Sequence, residues 1–141
     1  MAPTPQSDQP AWPEGIYGNV ELSEESGDLS GFEVRFFTDS GRRMAEFVYC
    51  EGWCNRAYRA EVTRKGDKFH FSHVEEFFSF GGDGGLVRTE GDLVGYTVVR
   101  AGDGLIYGQT NNDEAIALRP DFSLLAPLEE PFGLSVANGE D

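Results

Sequence analysis

Short runs of alternating polarity, separated by glycine–aspartate turns, constrain the fold of this chain more than any other feature. In one such run Phe32, Val34 and Phe36 fall on one side, and Glu33 and Arg35 fall on the other. The turn pairs between the runs are Gly27-Asp28, Gly66-Asp67, Asp83-Gly84, Gly91-Asp92 and Asp103-Gly104. A period of two residues interrupted by this turn chemistry is typical of antiparallel β-hairpins. The pattern therefore predicts an all-β protein.

The number and spacing of the runs predict an up-and-down meander of about eight strands, closed or nearly closed into a barrel. A β-sandwich is the alternative. In architecture the chain resembles the lipocalins and related calycin proteins, which implies a barrel able to hold one small ligand. The segment Gly15-Ile16-Tyr17 lacks the tryptophan that lipocalins usually place near the first strand. No functional residue is therefore carried over from that resemblance.

The length of 141 residues is that of one domain. Residues 1–13 are rich in proline and small polar residues and predict a flexible arm, with Trp12 expected to dock on the barrel rim. Residues 14–126 form the predicted barrel domain. Residues 127–141 lack the alternating pattern and are interpreted as a C-terminal acidic tail.

The charge balance excludes some partners. The chain has 11 basic and 25 acidic residues, a net charge of -14, and such a surface repels nucleic acids and anionic membranes. No signal-peptide pattern and no apolar stretch of membrane-spanning length are visible, so the sequence predicts a cytoplasmic protein. We expect a small-molecule ligand as partner and a monomer or homodimer.

The two cysteines and two histidines are clustered in sequence. Zinc ligands at Cys50, Cys54, His70 and His73 are disfavoured, because histidines three apart on a strand face opposite sides. We predict no metal and no cofactor. One interpretation of the cysteines is a pair of reduced, partly buried thiols. The other is a disulfide across a hairpin mouth between Cys50 and Cys54, which lie near disulfide distance if the intervening residues form a loop.

A histidine and a carboxylate on an aromatic strand face form the candidate ligand site. The candidate contacts are His73, Glu75, Phe69, Phe71 and Tyr58. Polar groups in an apolar cavity orient ligands. Further hydroxyl donors are Tyr17, Tyr49, Tyr96 and Tyr107. The alternative is a β-bulge near His73 that turns the following glutamates to solvent.

Three functions fit these observations. The first is a non-enzymatic barrel that binds a small apolar or amphipathic molecule. The second is a structural or protein-interaction module whose barrel is filled by its own phenylalanines, of which the chain has 11. The third, with least support, is an enzyme that uses His73 and Glu75 for acid–base chemistry. No nucleophile or phosphate-loop motif is present, so no catalytic residue is assigned.

Overall fold

The computed structural model describes residues 12–111, 114–115 and 124–139. These residues are almost entirely in β-strands, with one short helix among them. The strands are β1 (Gly15–Gly18), β2 (Glu21–Leu22), β3 (Leu29–Asp39), β4 (Arg42–Gly52), β5 (Tyr58–Glu61), β6 (Thr63–Lys65), β7 (Lys68–Phe80), β8 (Leu86–Ala101), β9 (Gly104–Asn111), β10 (Glu114–Ala115) and β11 (Leu124–Leu128), and the helix is α1 (Gly133–Ala137).

The strands form a nearly closed antiparallel barrel. Their order around the sheet is β5-β4-β3-β1-β11-β9-β8-β7-β6, with β2 added to β3 and β10 to β9. The two ends of this order, β5 and β6, follow one another in the chain and are separated only by Val62. The Val62 N–H donates to the Arg43 carbonyl at 2.8 Å, which keeps the chain on the barrel as it passes from one edge to the other. The predicted up-and-down meander is thereby confirmed.

The hairpin between β7 and β8 is the longest in the barrel. Pairing runs from Lys68 opposite Val99 to Phe80 opposite Leu86, with a register shift between Val74 and Glu76. Gly91-Asp92 was interpreted from sequence as a turn, and this was wrong, because both residues lie within β8. The pairing with β7 continues on both sides of them, and a bulge accommodates the extra residue there.

Inward-facing side chains, most of them from the long strands, fill the barrel. We call this set the inner core, and its buried members are Tyr17, Phe32, Val34, Phe36, Ala45, Phe47, Val62, Phe69, Phe71, Val94, Tyr96, Val98, Leu105 and Leu125. Five of these are phenylalanines, and four of the five are no more than 1% exposed. Aromatic side chains carry a large buried area each, so this cluster is the main source of hydrophobic stabilisation.

Trp12 covers one end of the inner core. Its ring lies 5.5 Å from that of Phe36 and 5.8 Å from that of Phe69, both edge to face. Arg43 is placed over the indole at 5.2 Å, and Pro13 is fully buried. Trp12 and Pro13, which the sequence assigned to the arm, therefore pack as part of the barrel, and the expected docking of Trp12 is confirmed.

A second, smaller cluster lies on the outer face of β3 and β4. We call it the outer core, and its buried members are Leu29, Val48, Cys50, Cys54 and Leu134. Leu134 belongs to α1, so the helix covers this face of the barrel. The prediction of an acidic tail from residue 127 onward does not hold for the described part, because that part completes β11 and forms α1.

Candidate functional site

Strand β7 places its two histidines on opposite faces of the barrel wall. Phe69 and Phe71 are 1% and 3% exposed and point inward, and strict alternation puts His73 on the same face. His70 lies on the outer face, where its Nδ1 is 2.9 Å from the Thr97 hydroxyl. The two rings therefore cannot share a ligand, as the sequence predicted for residues three apart.

An aromatic cage surrounds His73. The His73 ring centroid lies 4.0 Å from that of Tyr58, 5.1 Å from that of Phe47 and 5.9 Å from that of Tyr96. The Tyr96 ring is nearly parallel to the imidazole, at 5°. Tyr58 is the first residue of β5, so the cage lies where the edge strand β5 meets β7.

The imidazole of His73 has an unused hydrogen-bonding atom. Its Nδ1 is buried and has no hydrogen-bond partner among the residues that the structure describes. Desolvation by burial lowers the pKa of His73 below its ordinary value, so the neutral ring is favoured near pH 7. A neutral imidazole has one accepting and one donating nitrogen, and a buried group of this kind left unpaired is costly. The side chain is thus prepared to accept or donate one bond to an additional molecule.

The candidate partner of His73, Glu75, lies in the irregular stretch of the β7–β8 hairpin. The register shift between Val74 and Glu76 places a bulge at this point, the feature that the alternative interpretation required. The side chain of Glu75 lies outside the described part of the chain. The His73–Glu75 pair accordingly stays a prediction, and so does the acid–base chemistry that depends on it.

The remaining tyrosines differ in their placement. Tyr17 and Tyr96 are buried in the inner core, and Tyr107 packs against it. Tyr107 stacks on Phe32 at 4.5 Å, and burial together with the nearby Tyr49 phenol raises the pKa of Tyr107 to about 12. Tyr49 itself is 49% exposed. Phe32 also stacks on Tyr96 at 5.1 Å, so a chain of ring contacts joins Tyr107 to the cage around His73.

Cys50 and Cys54 are joined by a disulfide, with their Cα atoms 4.3 Å apart. Both residues are 1% exposed and belong to the outer core. Their sulfur atoms are therefore not available as metal ligands. Within the described ranges, no group of three or more histidine, cysteine, aspartate or glutamate side chains is arranged to hold a metal ion.

Sequence reasoning missed the role of Glu33. This side chain is fully buried on the outer face of β3, beneath the start of α1. Its Oε2 accepts hydrogen bonds from the N–H groups of Phe132 (3.0 Å) and Leu134 (2.9 Å), and its Oε1 accepts one from Gly133 (3.0 Å). The carboxylate thus caps the helix from another strand. The only signal in the sequence is an acidic residue between buried neighbours.

A charged cluster near the C-terminal end of α1 was also missed, where the Asn138 side-chain amide donates to Glu46 at 3.5 Å. Glu46 is 7% exposed, and its carboxylate pairs with Arg35 at 2.9 Å and Arg59 at 3.4 Å. Both guanidinium groups lie over the Phe37 ring, at 4.5 and 5.5 Å. Because cross-strand neighbours supply all of these groups, the cluster depends on register and is not visible as a local motif.

No protein-family model, curated protein or solved structure matches this chain. The resemblance to lipocalins and calycins therefore stays a prediction from the sequence, and the nearly closed antiparallel barrel is what the structure supports. Among the described residues, no helix has the length and apolar character required to cross a bilayer.

Proposed function

We propose that this protein is a binding protein for a small planar molecule, which it holds against His73 at the edge of the barrel between β5 and β7. The observation that carries the proposal is the Nδ1 of His73, which is buried inside an aromatic cage and has no hydrogen-bond partner in the described part of the chain. In an otherwise apolar site, a small number of polar groups fixes the orientation of the ligand. A ligand that offers a hydrogen bond to this nitrogen removes the cost of leaving it unpaired.

The chemistry of the cage limits the ligand. Phe47, Tyr58 and Tyr96 offer ring faces and edges, which favour a flat apolar or amphipathic molecule. The interior below the cage is occupied by phenylalanine side chains, including Phe71, 4.9 Å from Phe47. We therefore place the ligand at the cage, near the barrel edge, and not in the barrel centre.

Native mass spectrometry of untagged protein, compared with its denatured mass, tests for a molecule that remains bound. We expect an excess mass that disappears on denaturation. In His73→Phe the aromatic stacking is kept and the nitrogen is lost, so the affinity should fall at least about tenfold, the equivalent of one good hydrogen bond, and the excess mass should diminish. His70→Gln is the matched control, because His70 lies on the outer face, and it should retain the bound mass.

Nuclear magnetic resonance adds a test with supplied ligands. With only two histidines in the chain, selective labelling of histidine gives one signal from the cage and one from the outer face. A library of flat amphipathic fragments should shift the His73 signal and leave the His70 signal in place. The proposal is contradicted if the native mass equals the denatured mass and no fragment shifts the His73 signal.

A structural or interaction module is the second candidate, and the filled interior favours it. Phe32, Phe36, Phe47 and Phe69 are each no more than 1% exposed. Small barrels are often filled in this way and carry their function on the outside. This candidate predicts no ligand at His73, and it predicts binding on an outer surface instead.

A further inference from the structure

A groove lies on the outside of the barrel, between the loop closed by the Cys50–Cys54 disulfide and α1. Its volume is about 760 Å³. The lining residues are Trp53, Glu130, Pro131, Phe132, Ser135, Val136 and Gly139. It is separate from the cage around His73, none of whose members lines it.

Two exposed aromatic side chains form part of this groove. Trp53 is 51% exposed and Phe132 is 41% exposed. Single exposed apolar residues are ordinary on protein surfaces. Two large aromatic side chains that line the same groove are instead typical of a binding surface. Tryptophan is also the residue type most enriched among those that dominate binding energies.

The backbone under both aromatic groups is held in place before any partner binds. Trp53 lies in the disulfide-closed loop, where its carbonyl accepts a hydrogen bond from the Glu51 N–H at 3.2 Å. The Phe132 N–H donates to Glu33 at 3.0 Å. Because internal contacts already order the two segments, a partner that binds between them causes a smaller loss of conformational entropy.

The charge of the groove points to a basic occupant. Glu130 is the only charged residue among the described residues that line it, and no basic residue lines it. The net charge of -14 on the whole chain adds a long-range attraction for cations. Proline-rich peptides dock in grooves lined by aromatic residues, and their backbone is already ordered in the polyproline conformation, which lowers the entropic cost of binding.

We propose that this groove binds an extended, proline-containing basic segment of a partner protein. The prolines would pack against Trp53 and Phe132, and a basic side chain would pair with Glu130. The arm at residues 1–11 fits less well, although it contains prolines. It has no basic side chain to pair with Glu130.

Tryptophan fluorescence measures binding at this groove directly. In a Trp12→Phe background Trp53 is the only tryptophan, because the chain has two. We expect a saturable change in its emission on titration with a synthetic peptide of three Pro-Pro-Arg repeats. The matched peptide of Pro-Pro-Glu repeats should bind at least about tenfold more weakly, since it reverses the charge facing Glu130.

Variants of the groove sharpen the test. Phe132→Ala and Glu130→Lys should each weaken the basic peptide at least about tenfold, as expected for central contacts of a small interface. Phe80→Ala is the control, because Phe80 is 80% exposed on the β7–β8 hairpin, outside the groove. Circular dichroism establishes that each variant is folded before binding is measured.

Four results would overturn the proposal. The first is no emission change up to millimolar peptide in the folded Trp12→Phe protein. The second is an equal response to the acidic peptide. The third is a concentration-dependent dimer, abolished by Phe132→Ala, which would identify a second copy of the chain as the occupant. The fourth is an emission change caused by replacing Pro3, Pro5 and Pro10 with serine in the full chain, which would identify the arm.

Discussion

The inner core and the outer core meet the same two strands, β3 and β4, on their opposite faces. The inner face contributes Phe32, Val34 and Phe36 to a cluster of aromatic rings in direct contact. The outer face contributes a buried carboxylate, Glu33, and a disulfide at Cys50, both covered by α1. One strand pair is therefore stabilised by apolar burial on one side and by specific polar and covalent contacts on the other.

The two cores differ in how they depend on neighbouring parts of the chain. The inner core needs only the alternation of each strand and the closure of the barrel. The outer core needs α1, which is held by three N–H groups bound to Glu33 and by Leu134. Gly133 allows α1 to approach the barrel closely, because a Cβ at this position would lie 3.3 Å from the Cys50 Sγ. Loss of the helix should therefore leave the barrel standing.

The largest loss of stability should come from a substitution in the inner core. Phe47 is 1% exposed and touches the rings of Phe71, His73 and Tyr96. Phe47→Ala removes this packing and leaves a cavity, so the free energy of unfolding should fall by about 3–5 kcal/mol. Urea denaturation measures the change. The control Phe80→Ala, at an exposed position, should stay within about 0.5 kcal/mol of the parent, and a similar loss in both would argue against a packed interior.

A smaller and more local effect should come from the outer core. Glu33→Ala leaves the N–H groups at the start of α1 without their acceptor, and we expect a loss of about 2–3 kcal/mol. Glu33→Gln keeps one acceptor oxygen and should be intermediate. Hydrogen exchange should show faster exchange in residues 132–138 with the barrel strands still protected. Glu21→Ala is the control, because Glu21 is exposed on β2. Loosening of β7 and β8 in Glu33→Ala would show that the two cores are not independent.

The smallest effect should be the pH dependence of the two histidines, one on each face. Burial lowers the pKa of His73, and burial with Lys65 and Lys68 lowers that of His70. The unfolded chain therefore takes up protons first as the pH falls below about 6.5, and the folded state loses stability until the pH passes below the folded pKa values.

Added salt should distinguish the contribution of His73 to the pH dependence from that of His70. The melting temperature should fall between pH 7.5 and pH 5.5, and His73→Phe and His70→Gln should each reduce that fall. Added salt should weaken the His70 contribution, because charges on exposed lysines are screened, and it should leave the His73 contribution unchanged. A pH dependence that is identical in parent and both variants would contradict this assignment.

The sequence was sufficient to predict the barrel because its signals are local. Alternation in Phe32–Phe36 fixes which side chains face inward, and Gly66-Asp67 fixes a hairpin. The same alternation separated His70 from His73. The interpretation of Gly91-Asp92 as a turn failed because the same residues also fit a bulge, and only the pairing partner β7 distinguishes the two.

The outer core and the cage around His73 were decided by tertiary structure. Glu33 and Leu134 are far apart in sequence, and no local pattern states that a helix will form over β3, since the five residues of α1 are too few to be stable alone. The cage likewise joins β4, β5, β7 and β8. Periodicity determines which way a side chain points, whereas its neighbour across the barrel depends on register and closure, which involve the whole chain at once.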